Sequence, residues 1–182
     1  MIKALYVMSA LLAWIVLSCK KEKNREGNFG KFLIDKGLAQ NDTIKLLSKF
    51  PELKLFPGEK PVSKTRSAYV IQNLGIHAMD NYKCNAVIKN DTLQIWINNS
   101  NSYFGNGVLI NIVDGHFVIK DIDPKTLHSE IKFIKTKPLH QKLVLNKADF
   151  LANDSIYGFI DYKTKVDSFT KDFRGYFKTV IQ

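Results

Sequence analysis

Histidine and cysteine are the residue types in this 182-residue chain best suited to metal or nucleophilic chemistry. Of the four histidines, His128 and His140 flank one expected strand, but two ligands at that spacing are a weak basis for a metal site. The chain has no Gly-x-Ser-x-Gly, His-Glu-x-x-His or Cys-x-x-Cys motif and no phosphate-binding glycine loop. We therefore expect a protein that is not an enzyme and that uses neither a metal nor a cofactor.

Two carboxylates precede a proline in the run Asp121-Ile122-Asp123-Pro124. Alternation along a strand places both on one side, an arrangement that suits a weak calcium site. A solvated turn before Pro124 is the favoured interpretation.

The segment Asn98–Gly107 is rich in amides and glycine, and it carries Tyr103 and Phe104 at its centre. Trp96 lies just before it, on the polar face of the strand expected at 92–98. Exposed aromatic side chains of this kind stack on sugars or fill a pocket of a protein partner. We therefore take Trp96, Tyr103 and Phe104 as a candidate binding site. The alternative is that N-terminal helices pack over Trp96.

The order Asn-Asp-Thr/Ser-aliphatic occurs three times, ending in Thr43-Ile44, Thr92-Leu93 and Ser155-Ile156. Asn and Asp tolerate left-handed backbone geometry and bond their own backbone, so each copy predicts a turn before an element begins. Asp-Thr/Ser-aliphatic also resembles the O-glycosylation sequon of exported proteins in one Gram-negative phylum. The resemblance makes Thr43, Thr92 and Ser155 candidate O-glycosylation sites.

The N-terminus has the organisation of a secretory signal: Lys3, an uncharged and mostly apolar run over 4–17, and the small residue Ser18. Val16-Leu17-Ser18-Cys19 resembles the lipobox of bacterial lipoproteins, from which Leu17 departs because that position is usually Ala or Ser. The resemblance implies that the Cys19 thiol receives a diacylglyceryl group and that the chain is cut before it. The alternative is an uncleaved membrane helix, for which the apolar run is short.

The polar segment Lys20–Asn28 reads as a flexible tether between lipid and domain. Surface-displayed lipoproteins of that phylum carry an acidic run here, whereas this one is mostly basic. We therefore expect the periplasmic face of the outer membrane.

The chain is basic, with 27 Lys and Arg against 17 Asp and Glu. Removal of residues 1–18 takes away only Lys3 and leaves a net charge of +9. The charge is spread along the chain, so a solvated surface is expected and nucleic acid is not a partner. Cys84 would be the only cysteine besides Cys19, which excludes an intramolecular disulfide in the mature chain if Cys19 is lipidated. Alternation predicts a buried, inert thiol.

The distribution of apolar residues predicts a mainly β fold. Two short helices are expected within 29–50, the second capped at Asn41 or Asp42, and a proline-rich loop at 51–66; the run 67–74 is ambiguous. Period-two alternation then favours an antiparallel β-sandwich of seven or eight strands, with a β-barrel as the alternative. The strand candidates are 82–89, 92–98, 107–113, 116–122, 130–136, 141–146, 155–162 and 173–181.

Asp114-Gly115 between two alternating runs predicts a two-residue hairpin. Pairing residue 113 with 116 puts Ile112 opposite Phe117 and Ile110 opposite Ile119, all on the buried face.

The expected organisation is a signal at 1–18, a lipidated tether at 19–28, helices and loop at 29–66, and a sandwich at 67–182. The leading hypothesis is a non-catalytic envelope lipoprotein that binds a protein or glycan or supports an envelope assembly. An immunity lipoprotein that inhibits a toxin of competing bacteria is the second hypothesis. A cell-wall hydrolase is the third.

Overall fold

The computed structural model describes residues 29–52, 54, 57–58, 60–61, 63–74, 77–79, 83–98, 107–123 and 132–182. Most of these residues lie in strands, and the described part of the chain has one α-helix, α1 (Asp42–Leu47), after a 3-10 turn at Leu38–Gln40. The strands are β1 (Gly30–Lys31), β2 (Leu33–Ile34), β3 (Ala68–Leu74), β4 (His77–Met79), β5 (Lys83–Lys89), β6 (Thr92–Asn98), β7 (Gly107–Val113), β8 (His116–Ile122), β9 (Lys137–Leu145), β10 (Ser155–Val166) and β11 (Phe169–Val180).

Two sheets make up the fold. The first has five strands in the order β1-β8-β7-β6-β5, and the second has six in the order β2-β9-β10-β11-β3-β4. Every pairing is antiparallel except that of β2 with β9. The apolar faces of the two sheets enclose one core, so the predicted β-sandwich is confirmed.

The hairpin of β7 and β8 has the predicted register. Ile112 pairs with Phe117 and Ile110 with Ile119, and all four side chains are buried. Both turn residues have positive φ, 47° at Asp114 and 74° at Gly115, as a type I′ turn requires.

The predicted helix that starts at Phe29 is wrong. Gly30–Lys31 pairs with β8 of the first sheet, and Leu33–Ile34 pairs with β9 of the second. Phe32, between the two pairs, is buried among core side chains of both sheets. Phe29, Phe32 and Leu33 have the i, i+3, i+4 spacing of a helix face, but three apolar residues in five also fit a strand that crosses between sheets.

The second predicted helix is confirmed as α1. Asn41 is its N-cap, and the Asn41 side-chain oxygen accepts a hydrogen bond from the Thr43 N–H at 3.0 Å. Ile44 and Leu47 are buried, and α1 packs on β11 and β3 of the six-stranded sheet.

Two other expectations change. The ambiguous run 67–74 is strand β3, and the described part of the strand expected at 130–136 makes only a single bridge, between Phe133 and Ile122. The strands of the second sheet are also longer than predicted: β9 begins at Lys137, and β10 runs to Val166.

Beyond β11 the chain passes to the edge of the other sheet. The Gln182 N–H donates to the Ala86 carbonyl at 2.9 Å, and Ile181 forms a parallel bridge with Ala86. No helix among the described residues is long and apolar enough to cross a membrane.

Candidate functional site

A buried ionic cluster joins the two sheets. The Lys171 Nζ, on β11, lies 2.8 Å from the Asp121 Oδ1, on β8, and the side chains are 3% and 0% exposed. The Tyr162 hydroxyl donates to the Asp121 Oδ2 at 2.6 Å, and the Thr136 hydroxyl donates to it at 3.1 Å. Asp121 is therefore neither part of a solvated turn nor a calcium ligand, and both sequence interpretations of this carboxylate are wrong.

Burial sets the protonation behaviour of the cluster. It lowers the pKa of Lys171, although the neighbouring Asp121 opposes that change. Burial, followed by the charge of Asp121, raises the pKa of Tyr162, so the hydroxyl remains a donor. The Lys171 Nζ also lies 4.6 Å from the centre of the Phe173 ring. With both charged groups enclosed, the cluster acts as a cross-link between sheets rather than as a site open to substrate.

The outward face of the five-stranded sheet carries Trp96. Its neighbours across the sheet are Asn85, which is exposed, and Leu109, which is only 3% exposed although it points away from the core. Val87 and Val118 lie in the next row of the same face, and Trp96 itself is half-buried. This surface, which we call the Trp96 face, is more apolar than a fully solvated sheet face needs to be.

The Trp96 face is not covered by α1. Because α1 packs on β11 and β3, and Lys178 Nζ of β11 bonds to the Ser48 Oγ at its end, the helix belongs to the six-stranded sheet. The alternative that N-terminal helices pack over Trp96 is therefore wrong. Tyr103 and Phe104 lie outside the described residues.

The row of Val87 and Val118 also contains two amide side chains. Asn111 lies between Gln94 and Val118, and its Oδ1 is buried without a hydrogen-bond partner among the described residues. An unsatisfied buried acceptor costs roughly 1–3 kcal/mol, and native structures keep few of them.

A cavity of about 390 Å³ lies beside β5 and the end of β11. Hydroxyl and amide side chains make up most of its lining, together with Lys178, whose pKa is lowered by burial, and Cys84. Cys84 is buried, and that burial raises the pKa of its thiol, so it stays protonated and unreactive. This lining offers hydrogen bonds but no activated nucleophile.

Each tetrapeptide precedes or begins an element, as predicted, but only the second and third lie at turns; the first caps α1, with Asn41 in an extended conformation. Asn90, Asp91 and Asn153 have φ values of 49°, 59° and 70°. Ser155 is exposed, whereas Thr43 and Thr92 are half-buried.

Of the two histidines considered as a metal pair, the structure describes His140. His140 is half exposed, with its Nε2 3.9 Å from the Asp161 Oδ2. His128 lies outside the described residues.

Comparison of the chain with protein-family models, curated proteins and solved structures found no match.

Proposed function

We propose that this chain is a cell-envelope lipoprotein, held to a membrane by lipid on Cys19, whose β-sandwich binds a partner without catalysis. The support for the anchor is the sequence of residues 1–19, with its charged start, apolar run and lipobox-like end. The observation that carries the binding role is the Trp96 face, an apolar sheet surface on which α1 does not pack.

The chemistry of the Trp96 face suits a glycan or a protein partner. An indole ring on a sheet surface gives a flat apolar area with one N–H donor, and it loses little conformational entropy on binding. Asn85, the neighbour of Trp96 on β5, is exposed and presents a side-chain amide beside the indole. An aromatic anchor beside polar side chains is typical of the energetic centre of an interface.

The position of the tether supports the same proposal. The segment Lys20–Asn28 enters the sandwich at Gly30, which pairs with Phe117 beside the Asp114-Gly115 turn. Asn98 and Gly107 pair at the other end of the sheet, roughly 20 Å away along β7. Trp96 is level with Leu109, between these two points and roughly 10 Å along β7 from the row of Gly30. The proposed anchor therefore leaves the Trp96 end of this face open.

The anchor is tested with Cys19→Ala in the native host. The variant is expected to lose incorporation of a labelled fatty acid and to leave the membrane fraction or accumulate as a precursor. Acyl labelling equal to that of the wild type would contradict the lipoprotein proposal.

The binding role is tested by crosslinking in intact cells followed by recovery of the protein with its partners. Trp96→Ala is expected to reduce the recovered partner at least about tenfold, as loss of an aromatic hot spot does. Phe159→Ala is the matched control, because Phe159 is a half-buried aromatic residue on the outward face of the other sheet. Equal recovery with both variants would refute the assignment of the Trp96 face.

A further inference from the structure

Three large aliphatic side chains are exposed where the tether joins the sandwich. Leu33 is 55% exposed, Ile34 52% and Leu151 71%. The rings of Phe32 and Phe150, 6.2 Å apart, bring the two segments that carry them together. Leu33 and Ile34 are consecutive residues of a strand, so their side chains lie on the two sides of the sheet edge. We call Leu33, Ile34 and Leu151 the apolar end patch, because all three lie within two residues of the Phe32–Phe150 contact.

Isolated exposed leucines are ordinary in soluble proteins, but several exposed aliphatic side chains at one edge of a sheet are unusual. Leu33 and Ile34 form β2, a two-residue strand at the edge of the six-stranded sheet, and among the described strands it pairs with β9 alone. Proteins usually protect such edges with charge or with a covering element, because an exposed apolar edge promotes aggregation. Here both residues of the edge strand, Leu33 and Ile34, are aliphatic, which indicates that another surface covers them.

The chain before Phe29 indicates what that cover is. Ten residues, Cys19–Asn28, separate the proposed lipid from the sandwich and span at most about 35 Å when fully extended. That segment holds four basic residues against two acidic ones. The described charges beside the patch are mixed: Lys31 and Lys36 are exposed on either side of β2, and Asp35 and Asp149 are exposed next to Ile34 and Phe150. A surface with negative charge and an apolar interior fits this combination.

We propose that the apolar end patch inserts into the interfacial region of an anionic phospholipid bilayer, so that this end of the sandwich rests on the membrane. The inference builds on the proposed lipid anchor. Aliphatic side chains that reach the boundary between headgroups and acyl chains contribute to binding in proportion to the apolar area they bury. The lysines beside the patch would lie at headgroup level.

The test measures bilayer binding without the lipid, so that it does not depend on the anchor. The mature sequence with C19S is sedimented with phosphatidylcholine vesicles that contain phosphatidylglycerol, and with vesicles of phosphatidylcholine alone. We expect binding to the anionic vesicles that weakens at least about tenfold in the triple variant L33S/I34S/L151S. Urea denaturation checks that the variant is folded, since exposed side chains contribute little to the core.

Leu139→Ser is the matched control. Leu139 is 51% exposed, lies on β9 and is six residues from Leu145, the partner of Ile34, which is roughly 20 Å along the strand. Its loss is expected to leave vesicle binding unchanged.

Two results would overturn the inference: no sedimentation with anionic vesicles above the vesicle-free level, or equal binding by the triple variant and the wild type. Neither result touches the lipoprotein proposal, which fails only if Cys19 carries no lipid.

Discussion

At the scale of single residues, the buried ion pair between Asp121 and Lys171 is the most distinctive feature of the protein interior. Moving a charged group out of water costs several kcal/mol, and a buried pair recovers this only if its remaining hydrogen-bonding positions are satisfied. The Asp121 carboxylate meets that condition with donors from Lys171, Tyr162 and Thr136. Each partner therefore stabilises the fold only while the other is present.

Removal of either charge should be far worse than removal of both. We expect Asp121→Ala and Lys171→Met each to lower the free energy of unfolding by about 3–5 kcal/mol, because each leaves a buried charge unpaired. The double variant D121L/K171M should be more stable than either. Urea denaturation measures all three.

The pair Lys163 and Asp172 is the control, since it joins β10 to β11 within one sheet at 3.6 Å and both side chains are partly exposed. Lys163→Ala should change stability by no more than about 1 kcal/mol. Single core variants as mild as this control would contradict the role given to the buried pair.

Tyr162 makes stability depend on alkaline pH. Its pKa is raised in the folded protein, chiefly by burial, so above about pH 10 an unfolded tyrosine has released a proton that the folded one retains. The unfolded state then binds fewer protons, and stability falls as the pH rises. Tyr162→Phe should reduce the loss of stability between pH 9 and 11, as measured by urea denaturation at each pH. An unchanged slope would show that Tyr162 is not in this environment.

At the scale of elements, local signals predicted what local chemistry decides. Asp114-Gly115 identified the hairpin because both positions need positive φ, and Asn41 identified the start of α1 because its side chain caps the helix. Phe29–Ile34 was misread because its two pairings are with strands more than 80 residues away. The ionic cluster was missed for the same reason. One signal for it was present in the sequence: Lys171 lies two residues before Phe173, so alternation places both side chains on one face of the strand.

Substitution of Gly158 and of Gly115 should destabilise the protein for different reasons, crowding at the first and backbone strain at the second. A Cβ on Gly158 of β10 would lie 2.1 Å from the ring of Phe177, which is fully buried. Gly158→Ala should therefore lower the free energy of unfolding by about 1–3 kcal/mol or more through overpacking. Gly115→Ala meets no atom within 4 Å but has φ of 74°, so it should cost about 1–2 kcal/mol.

Combination with Phe177→Leu separates the two causes in thermal or urea denaturation. The smaller side chain should make Gly158→Ala less destabilising and leave the effect of Gly115→Ala unchanged. Equal effects in both backgrounds would argue against overpacking at Gly158.

At the scale of the whole molecule, the strands that change sheets close both sides of the sandwich. The segment Gly30–Ile34 joins β8 to β9, and the chain after Val180 joins the six-stranded sheet to β5. The proposed membrane end and the Trp96 face then occupy different parts of one rigid core.

Glycosylation of the native protein is a prediction about this outer surface. An attached sugar is bulky and hydrated, so its hydroxyl must be accessible. Exposed Ser155 meets this requirement best, and half-buried Thr92, whose hydroxyl donates to the Asn90 carbonyl at 3.4 Å, meets it least well. Mass spectrometry of peptides from the protein of its own host should show carbohydrate at Ser155 and Thr43 before Thr92, and the intact mass should show its total. A mass equal to peptide plus lipid would leave all three motifs as turns only.

The crossing segment also has a mechanical consequence. Tension applied at residue 29 would pass first into Gly30–Lys31 and then, through buried Phe32, into Leu33–Ile34. Each two-residue pairing is weak alone, but they belong to different sheets and Phe32 is fixed between them. A pull would therefore load hydrogen bonds of both sheets before the core opens, and Phe32 would act as the clamp. In this arrangement the first strand, where the proposed anchor would apply its force, resists being pulled away from the rest of the sandwich.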